Sequence, residues 1–272
     1  MPELPEVETT RRGLQKHLHE QTIQAMNLYR RDLRWPISPE LPDVALGQRI
    51  ESLARRGKYL IFSLQKGHML AHLGMSGSIR IAKPSEQLRK HDHWSLRINT
   101  NQELRFNDPR RFGALFWVES DWQQHPLIAG LGPEPLSKDF SGDMLYDISR
   151  GRKQAIKALI MDAKIVVGVG NIYASEALFH AGIHPKLVSG KLSRVRAGKL
   201  AQHIKQVLTK AIERGGTTLR DYVNGAGNPG YFQQELWVYG RKGLPCNVCG
   251  AAIREIRLGQ RSTCFCPNCQ KK

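Results

Sequence analysis

Residues 246–269 read CNVCGAAIREIRLGQRSTCFCPNC. Cys246 and Cys249 form one C-x₂-C pair, Cys266 and Cys269 a second, with sixteen residues between them. At this spacing two short turns each offer two thiolates, and four thiolates complete a tetrahedron around zinc with no open position. The expectation is one structural zinc on Cys246, Cys249, Cys266 and Cys269. The spacer reads as a hairpin with Leu258–Arg261 at its tip, and Cys264 is a spare thiol, not a ligand. All five cysteines lie in this segment. A secreted disulfide framework would spread them, so the clustering points to metal ligation in a reducing compartment.

Working back from the ribbon, a Gly-rich stretch, NGAGNPGYF, occupies residues 224–232. Apolar residues recur at helical spacing over 216–223, 193–214, 172–181 and 152–163. The segment LGPEPL, residues 131–136, carries one Gly and two Pro and marks a boundary. Ahead of it, short strand-like runs such as YLIFSL, SIRIA and ELRFN alternate with turn signals, the pattern of an antiparallel β sandwich or barrel. The reading divides the chain into residues 1–130, a linker 131–136, a helical part 137–237 and a zinc ribbon 238–272.

The balance of 41 Lys and Arg against 24 Asp and Glu gives a net charge of +17, which points to a polyanionic partner, nucleic acid first. There is no long apolar span or signal-peptide core, so the expectation is a cytoplasmic chain without membrane contact. Neither a Walker A nor a dinucleotide fingerprint occurs, which argues against a nucleotide cofactor.

The opening, MPELPEVETTRRGL, is unusual for a terminus. Pro5 suits a first helical position, and Glu6 and Glu8 fall in the first turn. Val7, Leu14 and Leu18 share a face that can dock on a core. The start is therefore expected to be tied down. Residues 165–173, IVVGVGNIY, offer Gly168 and Gly170 for a tight connection and Asn171 as a helix N-cap. Free amides at such a helix start, beside Lys157 and Arg152, suit a phosphate, although a plain helical corner fits them equally well.

Taken in order, PELPEVE, RRGKYL, HLGMSG, KHDH, NDPRRFG, LGPEPL, VVGVGNIYASEALF, GGTTLRDY, ELWVYGRKG and the zinc ribbon resemble the bacterial formamidopyrimidine-DNA glycosylase family along the whole chain. The resemblance implies an α+β fold: an N-terminal antiparallel β sandwich with flanking helices, then a helix–two-turn–helix domain with the ribbon. It implies a bifunctional glycosylase and abasic-site lyase that removes 8-oxoguanine and formamidopyrimidines from duplex DNA. It implies a monomer working on the bacterial nucleoid.

By the same resemblance, Pro2 is the nucleophile once Met1 is removed. An α-amino group near pKa 8 is roughly a tenth to a fifth free base at neutral pH, far more than an ordinary lysine. Glu3 is implied as the acid that opens the sugar and Glu6 as its support. Lys58 and Arg261 are implied in β- and δ-elimination. A base-acting enzyme must extrude its target, and Met75, Arg110 and Phe112 match the trio that fills the gap. Phosphate contacts are implied for His91, Arg110, Arg152, Lys157, Asn171 and Arg261, and residues 224–232 match the lid over the extruded base. Two alternatives remain open: an endonuclease VIII-like enzyme for oxidised pyrimidines, whose relatives begin PEGPE rather than PELPE, and a non-enzymatic zinc-ribbon DNA binder.

Overall fold

The computed structural model describes residues 2–216 and 235–272. The helix expected over 216–223 and the Gly-rich stretch 224–232 lie outside them, apart from Gly216. The described residues fall into two compact units. One comprises the chain up to Ala129 and also Arg214–Gly216; the other comprises Gly130–Glu213 and residues 235–272.

In the first unit, helix α1 (Leu4–Leu18) leads into β1 (Ile23–Leu28) and a short α2 (Leu41–Ala45). Then follow β2 (Ile50–Arg56), β3 (Tyr59–Leu64), β4 (Gly67–His72), β5 (Ser78–Ala82), β6 (Asp92–Ile98), β7 (Gln102–Asn107) and β8 (Ala114–Val118). A single-turn α3 (Pro126–Ala129) ends this unit's first segment. Two antiparallel sheets result, in the orders β1-β6-β7-β5 and β2-β3-β4-β8. One apolar cluster takes Met26, Ile79, Leu96, Leu104 and Phe106 from the first sheet and Leu53, Leu60, Phe62, Met69 and Leu115 from the second, which makes a sandwich. The same cluster takes Val7, Leu14 and Leu18 from α1, all fully buried. A fifteen-residue helix is marginal alone. Burying each of these side chains stabilises by about 1.5–3 kcal/mol, so packing suppresses fraying of the chain end.

The second unit holds α4 (Gly142–Ser149), α5 (Ile156–Ile160), α6 (Asn171–His180) and α7 (Arg194–Glu213). Strands β9 (Arg254–Leu258) and β10 (Arg261–Phe265) form the ribbon hairpin, with Leu258 opposite Arg261 at its tip. The LGPEPL segment is fastened to this unit: Gly132 N–H donates to Ala163 O at 2.8 Å, and Val167 N–H donates to Pro133 O at 3.2 Å.

Two local expectations need correction. The helix read over 152–163 is only the five residues of α5, because Ala155 is held extended in a bridge to Val188 and the chain turns again at Asp162. Asn171 does not cap α6. Gly170 occupies the N-cap, and the Asn171 side chain is drawn into a hydrogen-bonded cluster instead. No described helix is long and apolar enough to cross a membrane.

The clamp between α1 and β2 yields a pH prediction. Glu8 accepts from Arg11 Nη2 (2.8 Å), Arg12 Nε (2.8 Å) and Arg55 Nε (3.2 Å). Burial pushes its carboxyl up, but the Arg11 and Arg12 hydrogen bonds and the Arg11 and Arg55 charges outweigh burial and hold it down at about 2, against the usual 4.5. A depressed folded pKa contributes stability above about pH 4.5 that is lost as pH falls toward about 2, on the order of 3 kcal/mol in total. Glu8→Gln is expected to lower Tm at pH 7, with the gap to wild type closing as pH falls through that window. A gap of equal size at pH 2 and pH 7 contradicts the clamp.

Candidate active site and metal centre

Pro2 and Glu3 are both buried. Glu3 stands at the N-cap of α1, and its N–H donates to Glu6 Oε2 at 2.8 Å. Glu6 is itself buried, and Thr10 Oγ1 donates to its carbonyl at 2.9 Å. Gly216, at φ +85°, passes so close that a Cβ there would lie 3.1 Å from Glu6 Oε1. Glu6 thus fixes the backbone at Pro2–Glu3 by a direct hydrogen bond, a stronger constraint than helix-dipole complementarity.

Lys58 sits with Gly57 in the two-residue turn between β2 and β3, where Arg56 pairs with Tyr59. Such a turn needs a positive φ, which Gly57 supplies at +56°. At the end of β4, His72 packs its ring 4.8 Å from that of Tyr59 and accepts the Gly74 N–H on Nδ1 at 2.9 Å. The neutral ring therefore carries its hydrogen on Nε2. Burial drives the His72 pKa down to about 4, the Lys58 and Arg34 charges add to that, and Asp108 opposes it. His72 is consequently a neutral hydrogen-bond donor at pH 7 beside a cationic lysine. Sequence reasoning passed over it; its only mark is its place just ahead of the Gly74–Met75 turn.

The three residues matched to stack filling come together. Met75 and Phe112 are 38 % and 40 % exposed, so neither belongs to the core, and the Arg110 guanidinium lies 5.0 Å above the Phe112 ring. Gly74, at φ +67°, backs onto the Phe112–Gly113 backbone with no room for a Cβ. Beneath the two loops lies Asp108, fully buried. Its Oδ1 accepts from Ser76 Oγ (2.6 Å) and Arg110 N–H (3.2 Å), and its Oδ2 accepts from Gly113 N–H (2.8 Å). His91 adjoins this arrangement through its carbonyl, which accepts the Asp108 N–H at 3.0 Å. The roles of Asp108 and Ser76 had no sequence signal, since they join positions 32 residues apart.

In the second unit Lys157 is 2 % exposed. Its Nζ donates to Asn171 Oδ1 (2.6 Å) and Thr263 Oγ1 (2.8 Å), and Asn171 Nδ2 donates to Ser262 O (3.0 Å). A helix start, a buried lysine and the ribbon hairpin are thereby locked together. A cleft of about 470 Å³ beside them is lined by Lys157, Asp162, Gln260, Arg261 and Thr263, among others. Arg152 stands outside it, with Nε on Ile148 O at 2.7 Å.

The ribbon sulfurs of Cys246, Cys249, Cys266 and Cys269 all lie within 4.8 Å of one another. Cys246 and Cys269 are 3.9 Å apart, Cys249 and Cys266 3.5 Å. Tetrahedral zinc with Zn–S near 2.3 Å requires about 3.8 Å between sulfurs, so the set fits. Cys264 faces the small ribbon core, its Sγ 3.8 Å from Glu255 Oε2. Glu176, unnoticed in the sequence, ties α6 to the start of the ribbon. Its carboxylate accepts the N–H groups of Trp237 (2.8 Å), Val238 (3.0 Å) and Tyr239 (2.8 Å). Burial pushes that carboxyl up, and the three N–H groups oppose it.

Three family models match the chain. Residues 1–115 match the formamidopyrimidine-DNA glycosylase N-terminal domain, residues 131–223 the H2TH domain of the same enzymes, and residues 243–272 the zinc finger found in FPG and IleRS. The formamidopyrimidine-DNA glycosylase of Stutzerimonas stutzeri is 56 % identical over 272 residues, covering all of both chains. The chain belongs to the formamidopyrimidine-DNA glycosylase family. The Methylococcus capsulatus relative is 53 % identical, again over the full length of both chains. Among solved structures, a Lactococcus lactis Fpg variant with Fapy-dG containing DNA superposes with a TM-score of 0.92 at 36 % identity, covering all of both chains. The MutM (Fpg) protein of Thermus thermophilus gives 0.89 at 40 %, covering 99 % of this chain and 98 % of that one. As an Fpg, the chain is a DNA glycosylase with a lyase activity, and its ribbon is a zinc finger holding one structural zinc.

Because the ligands must be thiolates, zinc affinity falls as pH is lowered. Chelation at about pH 5.5 is expected to release one zinc per chain in a colorimetric metal assay and to open residues 246–269 to trypsin. A hairpin that stays protease-resistant after metal release contradicts a structural role.

Proposed function

We propose that this chain excises 8-oxoguanine and formamidopyrimidines from duplex DNA and then cuts the abasic strand, with the Pro2 nitrogen as nucleophile. The observation that carries the reading is the anchored terminus: Pro2 and Glu3 are buried and the Glu3 amide is bonded to Glu6. A chain end held this way can present a secondary amine, once Met1 is gone, at a fixed place.

The amine lone pair displaces the base from the sugar C1′, the electrons of that bond leave on the base, and the base takes up the proton that the amine gives up. As Glu3 protonates the ring oxygen, the C1′–O4′ bond breaks and the nitrogen lone pair closes a C1′=N bond. The resulting iminium is cationic without an added proton and acidifies the C2′ hydrogens, so the 3′ phosphate leaves by β-elimination. Lys58 moves the proton, and δ-elimination with Arg261 gripping the phosphate follows. Neutral His72 offers Nε2–H to a phosphate oxygen beside Lys58, where a second cation would compete with the lysine. Met75 and Phe112 fill the vacated stack while Arg110 hydrogen-bonds the orphan base. His91, Arg152, Lys157 and Asn171 contact the backbone. A zinc bound by Cys246, Cys249, Cys266 and Cys269 would hold the ribbon hairpin rigid.

In this reading residues 1–130 carry the nucleophile and stack-filling residues, 131–136 join the parts, 137–237 grip DNA, and 238–272 place Arg261. A chain of net charge +17 acting on chromosomal damage belongs in the bacterial cytoplasm at the nucleoid, as a monomer. Solved relatives have been captured with DNA containing an abasic site and, for MutM, with carbocyclic 8-oxo-G.

Borohydride added to protein and duplex with 8-oxoguanine opposite cytosine is expected to trap a covalent adduct mapping to Pro2. Pro2→Gly should slow trapping severely with binding retained, and Glu3→Gln should lower excision about 10²–10⁴-fold. An adduct that maps elsewhere, or trapping unaffected by Pro2→Gly, refutes the nucleophile.

A further inference from the structure

Residues 83–91 join β5 to β6 as an exposed loop anchored at both ends by buried arginines. At the start, the Arg105 guanidinium, 2 % exposed, gathers four carbonyls. Nη1 donates to Glu86 O (2.8 Å) and Gln87 O (3.3 Å), and Nη2 donates to Lys83 O (3.2 Å) and Pro84 O (3.4 Å). Arg105 Nε donates to Glu103 Oε2 at 2.8 Å, and Ser95 Oγ donates to Glu103 Oε1 at 2.6 Å. At the far end, Arg80 makes a bidentate pair with Asp92 at 2.7 and 2.6 Å. Asp92 also accepts from the Arg89 N–H and from Asn107 Nδ2, each at 2.9 Å.

Buried ion pairs add little net stability over an apolar core, because desolvation offsets their attraction. What two such pairs supply here is one fixed loop shape. That shape displays Arg89 and Lys90, both exposed, next to His91. Among the described residues neither Arg89 nor Lys90 has an ion-pair partner. Through the His91 carbonyl and Asp108 the loop is continuous with Arg110–Phe112.

We propose that Arg89 and Lys90 contact DNA backbone phosphates beside His91, and that Arg105 and Arg80 are positioning residues that hold this cationic loop ready before DNA arrives. The proposal rests on the glycosylase reading, which puts Arg110 and Phe112 inside the duplex and so brings the flanking phosphates to this loop. A loop ordered in advance loses less conformational freedom on binding, and its charges act together.

The test is the salt dependence of binding to a duplex bearing a reduced abasic site, followed by fluorescence anisotropy well below the melting temperature. Arg89→Ala with Lys90→Ala should flatten the slope of log K against log salt by about 0.9 for each phosphate no longer neutralised. Over a fourfold rise in salt, wild type should then fall in affinity by about 3-fold more than the variant for each such phosphate. Arg105→Lys keeps the charge but not the fork. It should flatten the slope similarly with Arg89 and Lys90 untouched, and add nothing further when combined with their removal. A wild-type slope in the Arg89/Lys90 variant overturns the contacts, and a wild-type slope in Arg105→Lys overturns the positioning. Should Arg105→Lys not fold, the exposed-residue variant decides the proposal. Borohydride trapping of wild type runs alongside: absence of any adduct sinks the glycosylase reading itself, whatever the slopes do.

Discussion

The hydrogen bond from the Glu3 amide to the Glu6 carboxylate converts a chain end into a fixed point. Everything proposed for the chemistry depends on that conversion, since an amine on a frayed terminus samples too many positions to react efficiently. One hydrogen bond could not hold it unaided. The apolar face of α1 in the sandwich core and the three arginines around Glu8 keep the helix itself still. The cap then has a rigid base to act from.

The same device recurs elsewhere, with a single buried polar group joining two segments. Asp108 joins the Met75 turn to the Arg110–Phe112 loop, Lys157 joins α6 to the ribbon, and Glu176 joins α6 to residues 237–239. In each case the polar group is buried and its hydrogen-bond partners are backbone or neutral side chains. Asp108 is bonded to Arg110, and Lys157 to Asn171, both proposed to touch DNA. Rigid supports under an exposed binding surface reduce the ordering required on association.

Sequence alone revealed much of this fold because its main signals are local. The C-x₂-C pairs announced the ribbon, and each strand-like run in the first half corresponds to a strand, since alternation needs only a few neighbouring residues to show. The candidate nucleophile, stack-filling trio and zinc ligands came from motifs. What stayed hidden was long-range. Glu176 meets partners 61 to 63 residues away, and Arg105 meets carbonyls 18 to 22 residues away. A carboxylate's future partners leave no trace in its immediate neighbours. The Asn171 error has the same origin: local preference favoured a cap, and a lysine fourteen residues upstream claimed the side chain.

Gly216 lies against Glu6, yet α7 and all of Gly130–Glu213 separate it in sequence from the rest of its unit. During synthesis, residues up to Ala129 leave the ribosome long before Gly216 does. The nascent sandwich therefore waits, with the Glu6 side of its terminus uncovered, while Gly130–Glu213, with helices α4 to α7, is translated. The approach of Gly216 to Glu6 can form only when that intervening stretch has been made.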